Sequence, residues 1–449
     1  MSLRMGFFGL FCLLHLNVLT AGGRIITLEQ AKQAALENNL AVVQASNAIE
    51  SAQSRVTAAY GDYLPTLSAS GGWNRYQNDR PGTDPFVFGG VLIPSTSGFS
   101  VDDDYRAGLS LNYTLFNGFA REANFSQASS SAIAAEHQSA RARQTVVFQV
   151  ESGYLNLLRL QQLVKVTEGN LTRDRRQLER ITEANRVGSL SLADVYRQRS
   201  QVAVDEFALI NAQNDYDKAQ ADLVALIGMN VSEEIEFSDP SLTETIAGAE
   251  VEVVNGERPD FSSVSRRALE YRPDYHGAKE LVHSTESGET IARSNYFPIV
   301  TAGAGYGISG AKFSGISDNK TLNWGLNVRW NIFDGFTTNQ LLESASAGRR
   351  NAEIAFSQAE RNINVEVKKA LLDLEAARKQ YQVSQEGLIS ATEDRRIQEE
   401  RYNLGAGTLL DLLTANAALV NAEANKVNAT FAYIITKSNL DYVIGEKTY

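Results

Sequence analysis

The segment from Leu322 to Ile332 alternates strictly between large apolar residues and Asn, Gly or Arg. A period of two predicts a β-strand with one apolar face and one polar face. Trp324 and Trp330 lie towards the two ends of the apolar face, where membrane barrels place interfacial aromatic residues. The pattern favours a strand that crosses a membrane, and an amphipathic strand of a soluble sandwich is the alternative.

Three further segments show the same alternation, and all four have about the length that a tilted strand needs to cross a bilayer. The predicted strands are 66–76, 105–116, 299–309 and 321–333. Four strands cannot close a barrel, because about eight is the practical minimum. Several chains must therefore contribute; two copies would supply eight strands, and three would supply twelve.

Two very long helices are predicted from heptad patterns. Apolar and small residues recur at steps of three and four through 120–186 and through 337–403, which is typical of a coiled-coil seam. Each helix would be about 100 Å long at 1.5 Å per residue. A glycine-containing turn follows each helix and leads into a return helix, at 191–227 or 408–444.

The chain is internally duplicated. Tyr63-Leu64-Pro65 recurs as Tyr296-Phe297-Pro298, and the strand exit Phe116-Asn117-Gly118-Phe119 recurs as Phe333-Asp334-Gly335-Phe336. Each copy runs helix, strand, strand, helix, helix, and the opening helices are predicted at 27–62 and 262–295. The predicted domains are a first repeat at 24–228, a linker at 229–261 with a short strand near 234–237, and a second repeat at 262–449, with the strand-bearing part at 64–118 and 297–335.

The first 22 residues are predicted to be a secretory signal peptide, since Arg4 precedes an apolar stretch from Phe7 to Val18. The single cysteine, Cys12, lies within it, so no disulfide is expected in the mature chain. The net charge of −11 argues against nucleic acid as a partner. No run reaches 18 consecutive apolar residues, so a membrane-spanning chain of this sequence would have to form a closed barrel.

Further motifs lie at the start of the chain and at the turns between the long helices. They are Thr27-Leu28-Glu29-Gln30-Ala31, Ala35-Leu36-Glu37-Asn38-Asn39, Asn185-Arg186-Val187-Gly188 and Arg401-Tyr402-Asn403-Leu404-Gly405-Ala406-Gly407-Thr408. Together with the duplicated motifs, they make the chain resemble the TolC-type outer membrane efflux proteins over nearly all of its mature length.

The resemblance implies an α+β membrane protein in the outer membrane of a Gram-negative cell, with a large periplasmic part. Three chains would form a homotrimer, with a twelve-stranded transmembrane β-barrel continuous with a twelve-helix coiled-coil α-barrel. The tunnel would dock onto a periplasmic adaptor (membrane fusion) protein and an inner membrane pump of the RND, ABC or MFS type. It would carry drugs or secreted proteins, the latter as in type I secretion, to the exterior, with no enzyme activity and no cofactor.

The resemblance also implies roles for residues at the two turns. By position, Asp411 matches an acidic ring residue and Thr414 replaces a second one, while Tyr402 and Asp194 match a pair that locks the closed tip. Gly407 lies where some members carry a locking arginine. Adaptor docking is expected at the turns themselves, at Val187, Gly188, Ser189, Leu190, Leu404, Gly405, Ala406 and Gly407.

The same turn residues have simpler interpretations. Ser191 with Asp194 and Thr408 with Asp411 have the spacing of capping boxes, which place an acid near the positive end of a helix. The glycines are also ordinary helix-breaking residues. Among functions, a trimeric outer membrane anchor, adhesin or structural stalk without transport is the alternative to an export channel.

Motifs for enzyme chemistry have almost no support. Gly305, Gly307 and Gly310 match a dinucleotide-binding pattern by letter, but the match lies at the end of an alternating segment and opens no predicted helix. The histidines lack metal-ligand spacing, and neither a cysteine nucleophile nor a Gly-x-Ser-x-Gly elbow occurs. No catalytic, cofactor-binding or metal site is predicted.

Overall fold

The computed structural model describes residues 24–80, 85–93, 98–233, 235–239 and 259–447. The signal peptide predicted at 1–22 and most of the linker predicted at 229–261 lie outside these residues. The helices are α1 (Leu28–Asn38), α2 (Leu40–Gly61), α3 (Ala120–Arg186), α4 (Leu192–Leu226), α5 (Phe261–Tyr271), α6 (Pro273–Ser294), α7 (Thr337–Asn403) and α8 (Leu409–Ile444). Both α3 and α7 are 67 residues long.

The described strands form three sheets. They are β1 (Arg24–Ile26), β2 (Thr66–Arg80), β3 (Phe86–Phe88), β4 (Val91–Ile93), β5 (Gly98–Phe116), β6 (Ile235–Phe237), β7 (Ile299–Gly310) and β8 (Asn319–Arg329). The largest sheet is antiparallel in the order β2-β5-β7-β8, so β2 and β8 are its edges. Strands β1 and β6 pair in parallel, and β3 with β4 makes a short hairpin between β2 and β5.

The two faces of the four-stranded sheet differ in polarity, as the alternating pattern predicts. Ala69, Leu109, Tyr306 and Leu322 lie side by side across the four strands, and the next row on that face, Leu67, Leu111, Ala304 and Trp324, is also apolar. The adjacent row on the other face runs through Ser68, Ser110, Gly305 and Asn323, and the Ser68 and Ser110 hydroxyls are 2.6 Å apart. Trp324 on the apolar face is 83% exposed in the single chain.

The strand bounds depart from the prediction in two places. Strand β8 ends at Arg329 rather than at 333, because its partner β7 begins at Ile299, immediately after Pro298, and Ile299 pairs with Arg329. Proline has no N–H with which to extend a ladder. Strands β2 and β5 extend beyond the predicted bounds of 66–76 and 105–116, and Arg75 Nε of β2 donates to Asp103 Oδ1 of β5 at 2.8 Å.

The opening helix of each half is broken, so the single helices predicted at 27–62 and 262–295 are wrong. Arg272 separates α5 from α6 with extended backbone angles, because it precedes Pro273 and a residue before proline disfavours the helical region. Asn39 separates α1 from α2, also with an extended backbone. Its Nδ2 donates to the Leu226 carbonyl oxygen at 2.8 Å, which satisfies a C-terminal carbonyl of α4.

Each half joins its last strand to its long helix through the same four-residue motif. At both joints the glycine and the following phenylalanine have φ of +68°, at Gly118-Phe119 and at Gly335-Phe336. Phe119 packs edge-on against Phe116 at 5.5 Å, and Phe336 packs in the same way against Phe333 at 5.6 Å. The aromatic contact offsets part of the cost of left-handed backbone at a residue with a side chain.

The described residues divide into two compact units, which we treat separately. The sheet unit comprises the described parts of 40–148, 257–379 and 436–449, and the turn unit comprises those of 1–39, 149–256 and 380–435. None of the described helices combines the length and the apolar composition needed to cross a bilayer.

In the sheet unit, apolar residues of α5, α7 and α8 form the core. Its buried members are Val264, Ala268, Ile363, Val367, Ala370, Leu440, Val443 and Ile444. Arg141 Nη1 donates to the Tyr442 carbonyl at 2.8 Å, and Gln144 Nε2 donates to the carbonyls of Gly445 and Lys447 at 2.9 Å each. These bonds satisfy the carbonyl groups at the end of α8, where a cation is also favoured by the helix dipole.

In the turn unit, the strand predicted near 234–237 is confirmed at Ile235–Phe237. Its partner β1 has no counterpart in the prediction. The Tyr154 hydroxyl donates to the Ile26 carbonyl at 3.0 Å, and its ring packs edge-on against Phe237. The start of the chain is thereby tied to the middle of α3.

The two joints allow a matched test of backbone strain. Gly118→Ala and Gly335→Ala both place a side chain at φ +68°, which costs about 1–2 kcal/mol. A Cβ at position 118 would also lie 2.6 Å from the Ser294 carbonyl oxygen, whereas nothing lies within 4 Å at position 335. Thermal unfolding of the purified protein in detergent should show a larger loss for Gly118→Ala, and equal losses would contradict this account.

Candidate functional site

The turn between α3 and α4 closes the end of α3 by a Schellman arrangement. The Ser189 N–H donates to the Ala184 carbonyl at 2.8 Å, and Gly188 between them has φ of +80°. That conformation is left-handed and favours glycine. Asn185 Nδ2 then donates to the Leu190 carbonyl at 2.7 Å, so the turn is bonded along its length.

The turn between α7 and α8 repeats this geometry. The Ala406 N–H donates to the Arg401 carbonyl at 2.8 Å, with Gly405 at φ +72°. Arg401 Nη2 donates to the Ala406 carbonyl at 3.3 Å. Gly407 follows in the turn, and a Cβ there would meet Arg401 at 3.2 Å. A larger side chain at position 407 would therefore fit only if the last residues of α7 shifted slightly.

Each return helix begins with a side-chain cap, but only the second has the full reciprocal box. The Thr408 hydroxyl accepts from the Asp411 N–H at 3.2 Å, and Asp411 Oδ2 accepts from the Thr408 N–H at 3.0 Å. Ser191 accepts from the Asp194 N–H in the same way, while Asp194 bonds the Ser191 hydroxyl at 2.7 Å. Arg197 Nη1 also lies 3.3 Å from Asp194 Oδ1.

The two acids therefore differ electrostatically. Hydrogen bonds from the Thr408 backbone and then from its hydroxyl hold the pKa of Asp411 below its ordinary value. Asp411 is exposed, so its ionised carboxylate faces solvent in the single chain. Thr414 lies one turn further along α8, and its hydroxyl donates to the Leu410 carbonyl at 2.9 Å. Of these residues, Asp411 presents the charge that an acidic ring requires.

Tyr402 belongs to a small apolar cluster that packs the two turns together. Ile181, Val195 and Leu409 are its buried members, and Leu178, Leu190, Tyr402 and Leu413 pack against them. The Tyr402 hydroxyl is buried and has no hydrogen-bond partner among the described residues. Burial, followed by the negative charge of Asp194, raises the pKa of Tyr402, with Arg180 opposing. The expected bond between Tyr402 and Asp194 is absent in this chain, and the locking role stays a prediction.

The outer surface of the turns is apolar and accessible. Val187 is 67% exposed and Leu404 is 83% exposed, at corresponding places in the two turns. Gly188, Ser189, Gly405 and Ala406 are also exposed, whereas Leu190 and Gly407 are half-buried. Leu192 and Leu410 extend the exposed surface into the return helices. The sequence analysis did not include these two leucines. Their place in the first turn of a predicted capped helix was a signal that could have identified them.

The part of the chain that the structure describes contains no cluster of three or more His, Cys, Asp or Glu side chains placed to hold a metal ion. The described turns offer hydrogen-bonded caps, a solvent-facing carboxylate at Asp411 and an apolar surface. That arrangement suits contact with another protein and with ions in solution.

Known proteins are similar to this chain over nearly its whole length. A family model described as "Outer membrane efflux protein" matches residues 31–229 and 264–446. The pyoverdine export outer membrane protein OpmQ of Pseudomonas aeruginosa is 24% identical over 426 residues, which are 93% of this chain and 85% of that protein. The outer membrane protein TolC of Vibrio cholerae is 21% identical over 446 residues, which are 97% of this chain and 94% of that protein.

Solved structures of outer membrane channels have a similar fold. The Campylobacter jejuni CmeC outer membrane channel superimposes with a TM-score of 0.78 at 18% identity, and the match covers 94% of this chain and 86% of that one. The two chains therefore share a fold despite low identity.

Two substitutions at Tyr402 separate the ring from the hydroxyl. Tyr402→Phe should leave turn stability unchanged or raise it slightly, because the lost hydroxyl is buried without a partner. Tyr402→Ala should destabilise the turns by up to about 3 kcal/mol, since it removes the ring from the cluster. Backbone hydrogen exchange of residues at both turns is the measurement. An equal loss of protection in the two variants would show that the hydroxyl itself holds the turns.

Proposed function

This chain belongs to the outer membrane efflux protein family, and on that premise we propose that it is one subunit of a homotrimeric channel that exports cargo across the outer membrane. Like the other members of its family, the chain is an outer membrane protein, and it is not an enzyme. The family match over residues 31–229 and 264–446 is the observation that carries the proposal. The proposed channel has a twelve-stranded barrel and a twelve-helix tunnel, and it receives its cargo from an adaptor and a pump.

The sheet supports the barrel in two ways. Its apolar face continues across all four strands, which suits contact with lipid chains, and its opposite face is rich in Ser, Asn and Gly. Strands β2 and β8 are edges within the chain. A strand edge cannot lie open in the hydrocarbon layer, because its N–H and C=O groups would lack partners. Pairing β8 of one copy with β2 of the next satisfies both edges, and three copies give twelve strands.

We propose that Asn323 and Asn327 line the aqueous interior together with Arg329. All three lie on the polar face of β8. The internal duplication then supplies two strand pairs and two helix hairpins from each chain. This arrangement makes a tunnel wall from α3, α4, α7 and α8 of every copy.

The turns are the proposed periplasmic end. Val187, Gly188, Ser189 and Leu190, together with Leu404, Gly405, Ala406 and Gly407, would meet a periplasmic adaptor protein. The exposed apolar side chains of Val187 and Leu404 support this, since a surface of that kind suits a protein partner. The adaptor would join the channel to an inner membrane pump of the RND, ABC or MFS type. The cargo is small molecules, as in drug efflux, or secreted proteins.

Site-directed crosslinking tests the docking surface. The only natural cysteine is Cys12, within the predicted signal peptide, so Val187→Cys and Leu404→Cys should each crosslink a periplasmic protein in intact cells. Leu92→Cys is the matched control, because Leu92 is 64% exposed but lies in the hairpin between β2 and β5. Crosslinking from Leu92 alone would place the adaptor surface elsewhere.

Deletion of the gene distinguishes the cargo classes. Increased drug sensitivity of the deletion strain indicates small-molecule efflux, and loss of an extracellular protein indicates secretion. A strain unchanged in both, with a purified protein that passes no current across a bilayer, would favour the stalk or anchor function and contradict export.

Ion selectivity tests Asp411. Its carboxylate is ionised at neutral pH, and three copies around one pore would favour cations. Asp411→Asn should reduce the cation preference of single channels in bilayers. Asp194→Asn is the control and should change selectivity less, because Arg197 already pairs with Asp194. An unchanged preference in Asp411→Asn would remove Asp411 from the pore lining.

A further inference from the structure

Two carboxyl groups are buried opposite each other in the turn unit. Asp174 of α3 is 1% exposed, and Asp205 of α4 is 5% exposed. Asp174 lies three residues after Leu171, where the heptad seam of α3 continues. Asp205 ends the buried series of α4 that includes Val195, Gln198 and Val202. Seam positions normally hold apolar residues, so a facing pair of acids is an exception that calls for a physical cause.

Neutral hydrogen-bond donors reach only some of the carboxyl oxygens of Asp174 and Asp205. Asp174 Oδ1 accepts from Asn416 Nδ2 at 3.3 Å, and Asp205 Oδ1 accepts from Gln201 Nε2 at 2.9 Å. Gln198, which is fully buried, donates to the Asp174 main-chain carbonyl at 3.1 Å. Asp205 Oδ2 is buried and has no donor among the described residues. A buried acceptor without a donor is costly, and a proton on one of two adjacent carboxyls supplies the missing bond.

The arginines near the pair form ion pairs with other acidic residues. Arg173 of α3 has its Nη2 3.2 Å from Glu423 Oε2 of α8, and Arg395 of α7 has its Nη2 3.0 Å from Glu399. Burial, followed by the hydrogen bond and the charge of Asp174, raises the pKa of Asp205 to about 7, although Gln201 and Arg173 oppose the rise. Two carboxylates close enough to interact by a hydrogen bond in a buried site do not both ionise readily.

We propose that Asp174 and Asp205 share one proton, and that this shared-proton pair holds α3 and α4 together near the turns in a pH-dependent way. The pair lies about 18 Å from the end of α3, at 1.5 Å per residue for the twelve residues from 174 to 186. Asn416 connects it to α8, and Arg395 Nε donates to Asn416 Oδ1 at 2.9 Å. Helices α3, α4, α7 and α8 therefore all contribute to the polar layer around this proton.

The direction of the pH effect follows from the raised pKa. A carboxyl whose folded-state pKa exceeds its unfolded value stabilises the fold below that unfolded value, and its contribution is lost as the pH rises through the folded value. For Asp205 the loss extends from about pH 4 to about pH 7. The turn unit should therefore be tighter at about pH 6 than at about pH 8. This inference is independent of the export function.

Hydrogen exchange of the full-length protein in detergent measures the effect. After correction for intrinsic exchange rates, the opening of amides around 174 and 205 should increase about tenfold between about pH 6 and about pH 8, as linkage predicts for a group with a pKa near 7. Asp205→Asn should abolish the increase, because an amide can donate to Asp174 but does not titrate. Asp215→Asn, at an exposed position of the same helix, should retain it.

A second readout follows the proton itself. The infrared carbonyl band of a buried carboxylic acid should be present at the lower pH, disappear at the higher pH, and be absent in both Asp205→Asn and Asp174→Asn. Equal protection of the unmodified protein at both pH values would overturn the proposal, as would a tenfold change that survives in Asp205→Asn. Restoration of protection at the higher pH by magnesium or calcium ions would show that a cation, not a proton, joins the pair.

Discussion

Every backbone N–H and C=O group inside a bilayer needs a hydrogen-bond partner, and the proposed barrel places the strands of this outer membrane protein under that constraint. Within one chain, β5 and β7 are paired on both sides, whereas β2 and β8 each have one free edge. With four strands per chain, the proposed barrel closes only as an assembly of several copies. In the proposed barrel, the apolar positions of the four strands form one lipid-facing surface, which explains why the period-two alternation is continuous across the sheet.

The helices obey a different constraint, because their backbone groups are satisfied internally except at the ends. The ends are accordingly where the specific polar contacts concentrate. Arg141 and Gln144 hold the last carbonyls of α8, Asn39 holds one from α4, and Thr408 with Asp411 closes the start of α8. Between the ends, small and apolar side chains at heptad spacing are joined by individual polar contacts, such as that of Arg159 with Asn428. The shared-proton pair differs from these contacts because both of its carboxyl groups are buried within a seam.

Much of this arrangement could be predicted from residue patterns, because the patterns are local. Alternation predicted the four strands and their faces, and the heptad repeats predicted α3 and α7 at the bounds that the structure has. The break at Arg272 was not predicted, although Pro273 is a local signal for it. The break at Asn39 has no such signal, because it depends on a bond to Leu226, which is distant in sequence. Strand β1 is only three residues long and is defined by its pairing with β6, so no pattern could reveal it.

The candidate site was predictable to a similar depth. Spacing identified both caps and both turn glycines, because each involves residues within three or four positions of one another. The state of the Tyr402 hydroxyl was not predictable, because it depends on how the two turns pack. The Asp174 and Asp205 pair was likewise hidden, since each acid alone looks like a solvated residue of a charged helix. Only the facing of two helices brings them together.

The equal length of α3 and α7 has an evolutionary consequence. Their turns pack against each other through Leu190 and Tyr402, so deleting residues from one helix alone would withdraw its turn from that contact by 1.5 Å per residue. A deletion that was not a multiple of seven would also rotate the apolar seam away from its partner. Relatives of different tunnel length should therefore have gained or lost whole heptads in both halves together, as paired events in a duplicated gene.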